Sequence, residues 1–250
     1  MIKELNIFLK KENILMAGLG FSAGLPIMLV FSTLSVWLVK AGIERSTVTL
    51  FSWAGFAYSF KFLWSPIVDK FEIPFLNKIG HRKSWLFITQ ILILLSIILA
   101  SYSNPQDNLK FMALSIVLIA FFSSTQDIVI DAFRIESAPE KKQGPLSSMY
   151  LAGYRVAMIV SGAGSLWLAS YLGSETYQQD VWKQVYQIIS LFMSVGLICT
   201  LLSTEPNIKN KNKINWLNQV KFTLSTILSI IIFFIIFFNF PKINNLNYIF

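Results

Sequence analysis

Seven apolar runs divided by short polar connections dominate the chain, near residues 14–38, 47–66, 84–101, 109–131, 147–171, 183–203 and 219–240. Each approaches the roughly 20 apolar residues that a helix needs to cross a hydrocarbon core about 30 Å thick. The pattern predicts an all-α, polytopic membrane protein. The first run is too long for the apolar region of a secretory signal and has no small-residue cleavage site after it, so a retained helix is expected. A polar stretch, Thr204 to Asn215, carries Glu205-Pro206 and three alternating lysines before the last run. The expected organisation is a six-helix unit over 1–205, a cytoplasmic linker over 206–218, and a seventh helix with a tail over 219–250. That last segment has no charge within its apolar run beyond Lys221 at its start and reads as a plain anchor.

Composition supports this reading, because 54% hydrophobic and 14% charged residues cannot be arranged inside-out in a water-soluble domain of 250 residues. The basic residues set the orientation. With the N-terminus inside, the cytoplasmic segments hold Lys3, Lys10 and Lys11, then Lys70, Lys78, Arg82 and Lys83, then Arg134, Lys141 and Lys142, then Lys209, Lys211, Lys213 and Lys221. The opposite side holds only Lys40, Arg45, Lys110, Lys183 and Lys242. A cytoplasmic N-terminus follows. The net charge of +8 is then explained by basic loops facing anionic lipid, with no need of a nucleic-acid partner. Cys199 is the single cysteine, which excludes an intrachain disulfide and a thiolate metal cluster, and no metal site is expected.

Charges inside the apolar runs are the exceptions that carry information, since a charge at the bilayer centre costs about 2.5–3.5 kcal/mol on insertion scales. The fourth run ends FFSSTQDIVIDAFRIE, in which Ser124, Asp127, Asp131 and Arg134 share one helical face. Two carboxylates one turn apart repel when both are ionised, so the pair is a candidate proton carrier. Arg134 can neutralise Asp131, and Arg155 in the fifth run adds a second intramembrane cation. Two readings stand: an ion-pair network that ties helices four and five together, or a site that contacts solute and proton. An enzyme is not expected, because an aspartyl dyad needs its carboxyls to converge from separate elements. In the fifth run Gly153, Ala157, Ser161 and Ser165 recur every four residues as a smooth packing face, with Tyr154 and Arg155 pointing away from it.

Helix one contains GLGFSAGLP, where Gly20 and Gly24 permit close helix approach and Pro26 removes a backbone donor. Packing alone explains this motif; the alternative is a kink that opens a polar cavity. Helix two ends Lys61-Phe-Leu-Trp-Ser-Pro66. Trp64 suits the interfacial belt and Lys61 is expected to snorkel to the inner headgroups. Asp69 and Lys70 follow, and, beyond an insert with Pro74, Gly80, His81, Arg82 and Lys83. This resembles, in stretched form, the gating loop of the major facilitator superfamily; His81 is expected to be a solvated loop residue.

Together, GFSAGLP, FSWAGFAYSFKFLWSPIVDKF, FFSSTQDIVIDAFRIE and GYRVAMIVSGAG closely resemble the AmpG family of muropeptide permeases over about residues 14–205. The resemblance implies a major facilitator-type N-terminal six-helix half plus one further transmembrane helix. It implies a proton-coupled importer of anhydro-muropeptides in the inner membrane, serving peptidoglycan recycling. The solute would be a sugar-peptide, and the proton gradient would drive transport with no other cofactor. Candidates for solute and proton contact are Asp127, Asp131, Arg134 and Arg155, with Tyr154 and Gln126 beside them. The chain would be a truncated homologue, a subunit pairing with a second transporter half, or a fragment. The alternatives are a non-transporting membrane subunit and a facilitator for another solute.

Overall fold

The computed structural model describes residues 7–173 and 176–206, with Lys221, Leu224 and Leu228 as single helical, exposed positions. Beyond Pro206, the expected linker lies outside the described residues, as does the expected seventh helix apart from those three positions. The chain divides into two compact units, Met1–Ile208 and Lys209–Phe250. Every regular element among the described residues is a helix. α1 (Lys11–Val30) and α2 (Ser32–Lys40) form one 30-residue span broken at Phe31. α6 (His81–Ser101) and α7 (Leu109–Ser137) are single rods. α8 (Glu140–Ile159) passes through a π-helical turn, Val160–Gly164, into α9 (Ser165–Tyr171), and α10 (Gln179–Leu191) runs almost directly into α11 (Met193–Leu202). These make five spans long and apolar enough to cross a bilayer.

The second apolar run departs from expectation. In place of one helix over 47–66, residues 45–70 form α3 (Arg45–Leu50), a 3₁₀ turn (Phe51–Gly55), α4 (Phe56–Ser59), a second 3₁₀ turn (Lys61–Leu63) and α5 (Ser65–Lys70). Seven aromatic side chains crowd this stretch, with Trp53 and Phe56 rings 6.0 Å apart and Phe56 and Phe60 rings 5.8 Å apart. Aromatics lose rotamer freedom against the preceding turn of an α-helix, and Pro66, which lacks a backbone donor, lies in the first turn of α5, where a helix starts rather than continues. A 3₁₀ turn rises about 2.0 Å per residue rather than 1.5 Å, so the segment keeps the reach of a span while breaking its ladder.

Helix α1 stands at the centre of the bundle, packed on α8, α11 and α7, while α6 packs on α7, α10 and α11. Between apolar helices in lipid the attraction is close van der Waals contact, which small residues allow. A Cβ built on Gly20 would lie 2.1 Å from the Tyr150 carbonyl oxygen, one on Gly24 2.4 Å from that of Tyr154, and one on Gly153 1.9 Å from that of Ala17. The GxxxG motif is thus a backbone-to-backbone seam between α1 and α8. Pro26 is buried, and around the break at Phe31 the interior is filled rather than open. Trp37 stacks on Trp182 at 5.7 Å, packs on Tyr186 at 4.8 Å, and the Tyr186 hydroxyl donates to the Leu29 carbonyl at 2.9 Å. The Thr33 hydroxyl donates to Ser161 O in the π turn at 2.7 Å. Packing, not a cavity, is what this kink serves.

The connections alternate between two ends. At one, Gln106 Nε2 donates to Ala41 O at 3.0 Å and Gln179 Nε2 to Ser103 O at 2.9 Å. The other end gathers the start of α1, the 71–80 connection, the α7–α8 junction and the end of α11. There Gln143 Nε2 caps the α7 C-terminus, donating to Ala138 O at 2.7 Å and to Arg134 O at 3.1 Å.

Gly153→Val is expected to force α1 and α8 apart and lower the melting temperature of the detergent-purified protein, at a cost of about 1–3 kcal/mol for overpacking. Gly144→Ala, on the same helix with nothing within 4 Å of its Cβ position, is expected to be neutral or stabilising by up to about 1 kcal/mol. Thermal unfolding followed by tryptophan fluorescence measures both.

Candidate functional site

One side of the bundle combines burial and charge in a way that oil does not tolerate. The Glu140–Tyr171 span has only 17% of its apolar window buried, against 44–56% for the other four, so most of its surface is uncovered within the described unit. Arg155 lies at the middle of that 32-residue span. Its guanidinium comes 3.9 Å from Met158 Sδ, and no carboxylate among the described residues lies within ion-pair distance. A cation at that depth calls for a hydrated cavity or a facing polar partner.

The wall beside it is the charged face of α7. Counted at 1.5 Å per residue, Asp127 is about 6 Å from the helix midpoint and Asp131 about 12 Å from it. Asp127 Oδ2 is 3.9 Å from Lys61 Nζ; the lysine side chain is 33% exposed and the aspartate 14%. Asp127 Oδ1 is buried with no hydrogen-bond partner among the described residues. One turn on, Arg134 Nη2 donates to Asp131 Oδ1 at 3.3 Å, and Arg134 also bonds the Ser147 hydroxyl on α8. Tyr58, Tyr150 and Tyr154 lie close enough to feel the charge of Asp127. The α7 face therefore holds two acid–base pairs, while Arg155 on α8 has no ion-pair partner among the described residues.

Sequence reasoning missed Lys61 as a member of this stripe. Instead of snorkelling to the headgroups, it sits in the 3₁₀ turn Lys61–Leu63 and turns toward α7. The break in the second run creates that placement, and no apolar periodicity announces it. Trp64 likewise serves the interior: its Nε1 donates to Thr125 Oγ1 at 3.0 Å and its ring packs on Phe121 at 5.0 Å. Gln126 and Ser124 do not join the stripe. Gln126 is fully buried and donates to Ser22 Oγ of α1 at 3.2 Å, while the Ser124 hydroxyl donates to the carbonyl of Phe121. Ser22 in turn faces Gly196 of α11, so Gln126 belongs to the interior.

The stretched loop signature folds into a compact cluster. Arg82, on the first turn of α6, donates from Nη1 to Asp69 Oδ1 at 2.7 Å, and from Nε and Nη2 to the two oxygens of Glu136 at 2.9 and 2.6 Å. Glu205 accepts from the backbone N–H groups of Arg82 and Lys83 at 2.8 and 3.0 Å, and Lys83 Nζ donates to Ser203 O at 2.8 Å at the end of α11. Gly80 holds φ +107, and a Cβ there would meet Glu205 Cδ at 2.3 Å. The insert with Pro74 bulges outward, with Phe75 at φ +69 and almost fully exposed, which lets Asp69 and Arg82 meet across it. Lys70 is exposed, and His81 begins α6 rather than lying in the loop. Glu136 and Glu205 were missed by sequence reasoning. Glu136 closes the fourth-run motif, but Glu205 read as part of the linker.

A cavity of about 380 Å³, lined by Lys10, Glu12, Asn13, Lys141 and Lys142, opens at the same basic end. Its nearest α7 residue, Ser137, is about 15 Å along the helix from Asp127. Among the described residues no group of three or more His, Cys, Asp or Glu is arranged to hold a metal ion.

The Major Facilitator Superfamily profile matches residues 15–248, and the chain belongs to that family. It is 38% identical over 203 residues to the Anhydromuropeptide permease of Escherichia coli (strain K12), covering 81% of this chain and 39% of that protein. It is 38% identical over 197 residues to "Putative transporter AmpG 4" of Rickettsia felis, covering 79% of this chain and 46% of the relative. "Putative transporter AmpG 3" of Rickettsia prowazekii is 36% identical over 195 residues, covering 77% and 44%. The chain spans less than half the length of these curated relatives.

Arg82→Met is expected to cost about 3–5 kcal/mol, because two carboxylates lose a buried partner. Arg134→Gln, removing a pair whose aspartate is about half exposed, is expected to cost less than about 1 kcal/mol. Melting temperatures of the two purified variants rank them.

Proposed function

We propose that this member of the Major Facilitator Superfamily acts in proton-coupled import of anhydro-muropeptides across the bacterial inner membrane. The observation that carries the reading is the pair of ion contacts Lys61–Asp127 and Asp131–Arg134 along α7, with Arg155 at the middle of the largely uncovered Glu140–Tyr171 span. An anhydro-muropeptide carries carboxylates and an amino sugar. Arg134 and Arg155 meet acid groups by charge-assisted hydrogen bonds, Tyr154 offers an aromatic face to the sugar, and Asp127 and Asp131 exchange the proton. Similarity to an anhydromuropeptide permease supports the choice of solute. A facing helical bundle, from continuing chain or a second polypeptide, completes the cavity, since such carriers place their site between two halves.

Orientation follows from charge. The end that gathers Lys10, Lys70, Arg82, Lys83, Lys141 and Lys142 is the cytoplasmic one, which puts the N-terminus inside. The Arg82 cluster then fastens the cytoplasmic ends of α5, α6, α7 and α11.

Expressed in a permease-deficient host together with the C-terminal half of the similar Escherichia coli permease, the chain is expected to raise accumulation of radiolabelled anhydro-muropeptide over the empty host. Asp127→Asn and Asp131→Asn are each expected to lower it at least about tenfold, equivalent to about 1.4 kcal/mol. Accumulation equal to the empty host, with the protein present in the membrane, rejects the proposal.

A further inference from the structure

The chain handles its two main clusters of opposite charge differently. Around Arg82 each guanidinium branch has a carboxylate oxygen at 2.6–2.9 Å, and the side chain is 9% exposed. That is a satisfied, structural arrangement. Lys61 and Asp127 meet at 3.9 Å, beyond hydrogen-bond distance, with one aspartate oxygen buried and unpartnered and the lysine one-third exposed. A half-satisfied ion pair at membrane depth adds little stability, because desolvation offsets the attraction. Its ammonium donates no hydrogen bond among the described residues, and a third of the side chain reaches the surface. A single-point lysine contact can also be released without dismantling a fork of hydrogen bonds.

We propose that Lys61 and Asp127 form an exchange site, in which a carboxylate of the solute replaces Asp127 as the counter-ion of Lys61 while Asp127 takes up a proton. This rests on the reading of the stripe as a transport site and specifies the solute as one bearing a carboxylate. The step balances. The solute brings one negative charge, the proton brings one positive charge, the O–H bond forms on Asp127, and Lys61 stays an ammonium throughout. Loading through this pair is therefore electroneutral.

The groups that face Asp127 suit the exchange. Lys61 and Tyr58 approach from the broken second run, Asp131 from one turn along α7, and Tyr150 and Tyr154 from α8. Asp131 already has Arg134 at 3.3 Å, and Arg134 is further held by Ser147 and lies toward the cytoplasmic end of the stripe. Lys61 is thus the cation that Asp127 can give up, and Arg155, without an ion-pair partner among the described residues, can hold a second acid group.

The test is proton uptake on binding. The purified full chain is titrated in weakly buffered detergent at pH 7 with N-acetylmuramic acid, an amino sugar with a carboxylate, or with N-acetylglucosamine, the sugar without it. Tryptophan fluorescence reports binding and an indicator dye reports protons. N-acetylmuramic acid is expected to bind with uptake of up to about one proton per chain, as linkage requires when binding fixes a proton on one group, and N-acetylglucosamine with none. Lys61→Gln is expected to bind N-acetylmuramic acid at least about tenfold more weakly, a loss of about 1.4 kcal/mol, without proton uptake. Lys61→Arg keeps the charge but can hold Asp127 in a two-pronged hydrogen-bonded pair, and is expected to bind N-acetylmuramic acid more weakly than the wild type, with less uptake. Unchanged uptake in Lys61→Gln, binding without uptake in the wild type, or no binding overturns the proposal. Should Lys61→Gln not fold, the wild-type comparison of the two sugars carries the same decision. Muropeptide accumulation with proton uptake unaffected by Lys61→Gln sinks the exchange alone. Proton uptake with no muropeptide accumulation sinks the importer reading and leaves the exchange standing.

Discussion

The contact on which the rest of the bundle depends is the bare-backbone approach of α1 to α8. Gly20 and Gly24 lie against the carbonyls of Tyr150 and Tyr154, and Gly153 lies against that of Ala17. A helix turns about 100° per residue, so Arg155, two residues past Gly153, is thrown about 200° around the axis. Burying the glycine face against α1 thus obliges the arginine to stand on the opposite, uncovered side. The same seam fixes Tyr154 and Ser147 relative to α7, and with them the site of Arg134. What looks like two features, a packing motif and a charged stripe, is one constraint seen from two sides of α8.

Charge is the second organising principle, and satisfaction sorts it. Where carboxylates and arginine meet with every donor matched, as at Arg82, Asp69 and Glu136, the cluster ties α5, α6 and α7 together at the basic end. Glu205 extends the tie to the end of α11 through two backbone N–H groups. Elsewhere the matching is incomplete: Asp127 keeps one buried oxygen without a partner among the described residues, and the exposed Arg155 has no ion-pair partner among them. Leftover bonding capacity in a low-dielectric region is costly, and a solute or proton can use what the protein leaves open.

Much of this was legible in the chain. Apolar length announced five of the seven expected spans, and the small residues at Gly20, Gly24 and Gly153 announced close packing. The Asp131–Arg134 spacing gave a pair that forms, and Arg155 kept the unburied place its sequence neighbours implied. Four things were not legible, each for a physical reason. The second run has the length and apolar content of a helix, so nothing in its periodicity discloses that aromatic crowding and Pro66 divide it into short turns. Lys61 depends on that division and was therefore misplaced at the headgroups. Gln126 lies beside Asp127 in sequence yet about 100° away on the helix, enough to carry it from the stripe into the interior beside Ser22. Glu205 acts through contacts more than 120 positions back in the chain, which local pattern cannot register.

The choice of cation at each cluster follows the same logic. At position 82 the planar fork of arginine engages both oxygens of Glu136 and still reaches Asp69, a geometry that a lysine cannot reproduce. At position 61 the lysine has a flexible stem and three rotatable donors, and it meets its aspartate at a distance that holds charge near charge without committing a hydrogen bond. Had the two been exchanged, the stripe would carry a rigid fork able to lock Asp127 in place, and the basic end would hold together through a single point charge. The chain puts the fully matched fork where three helices meet and the looser contact at a lysine that is one-third exposed.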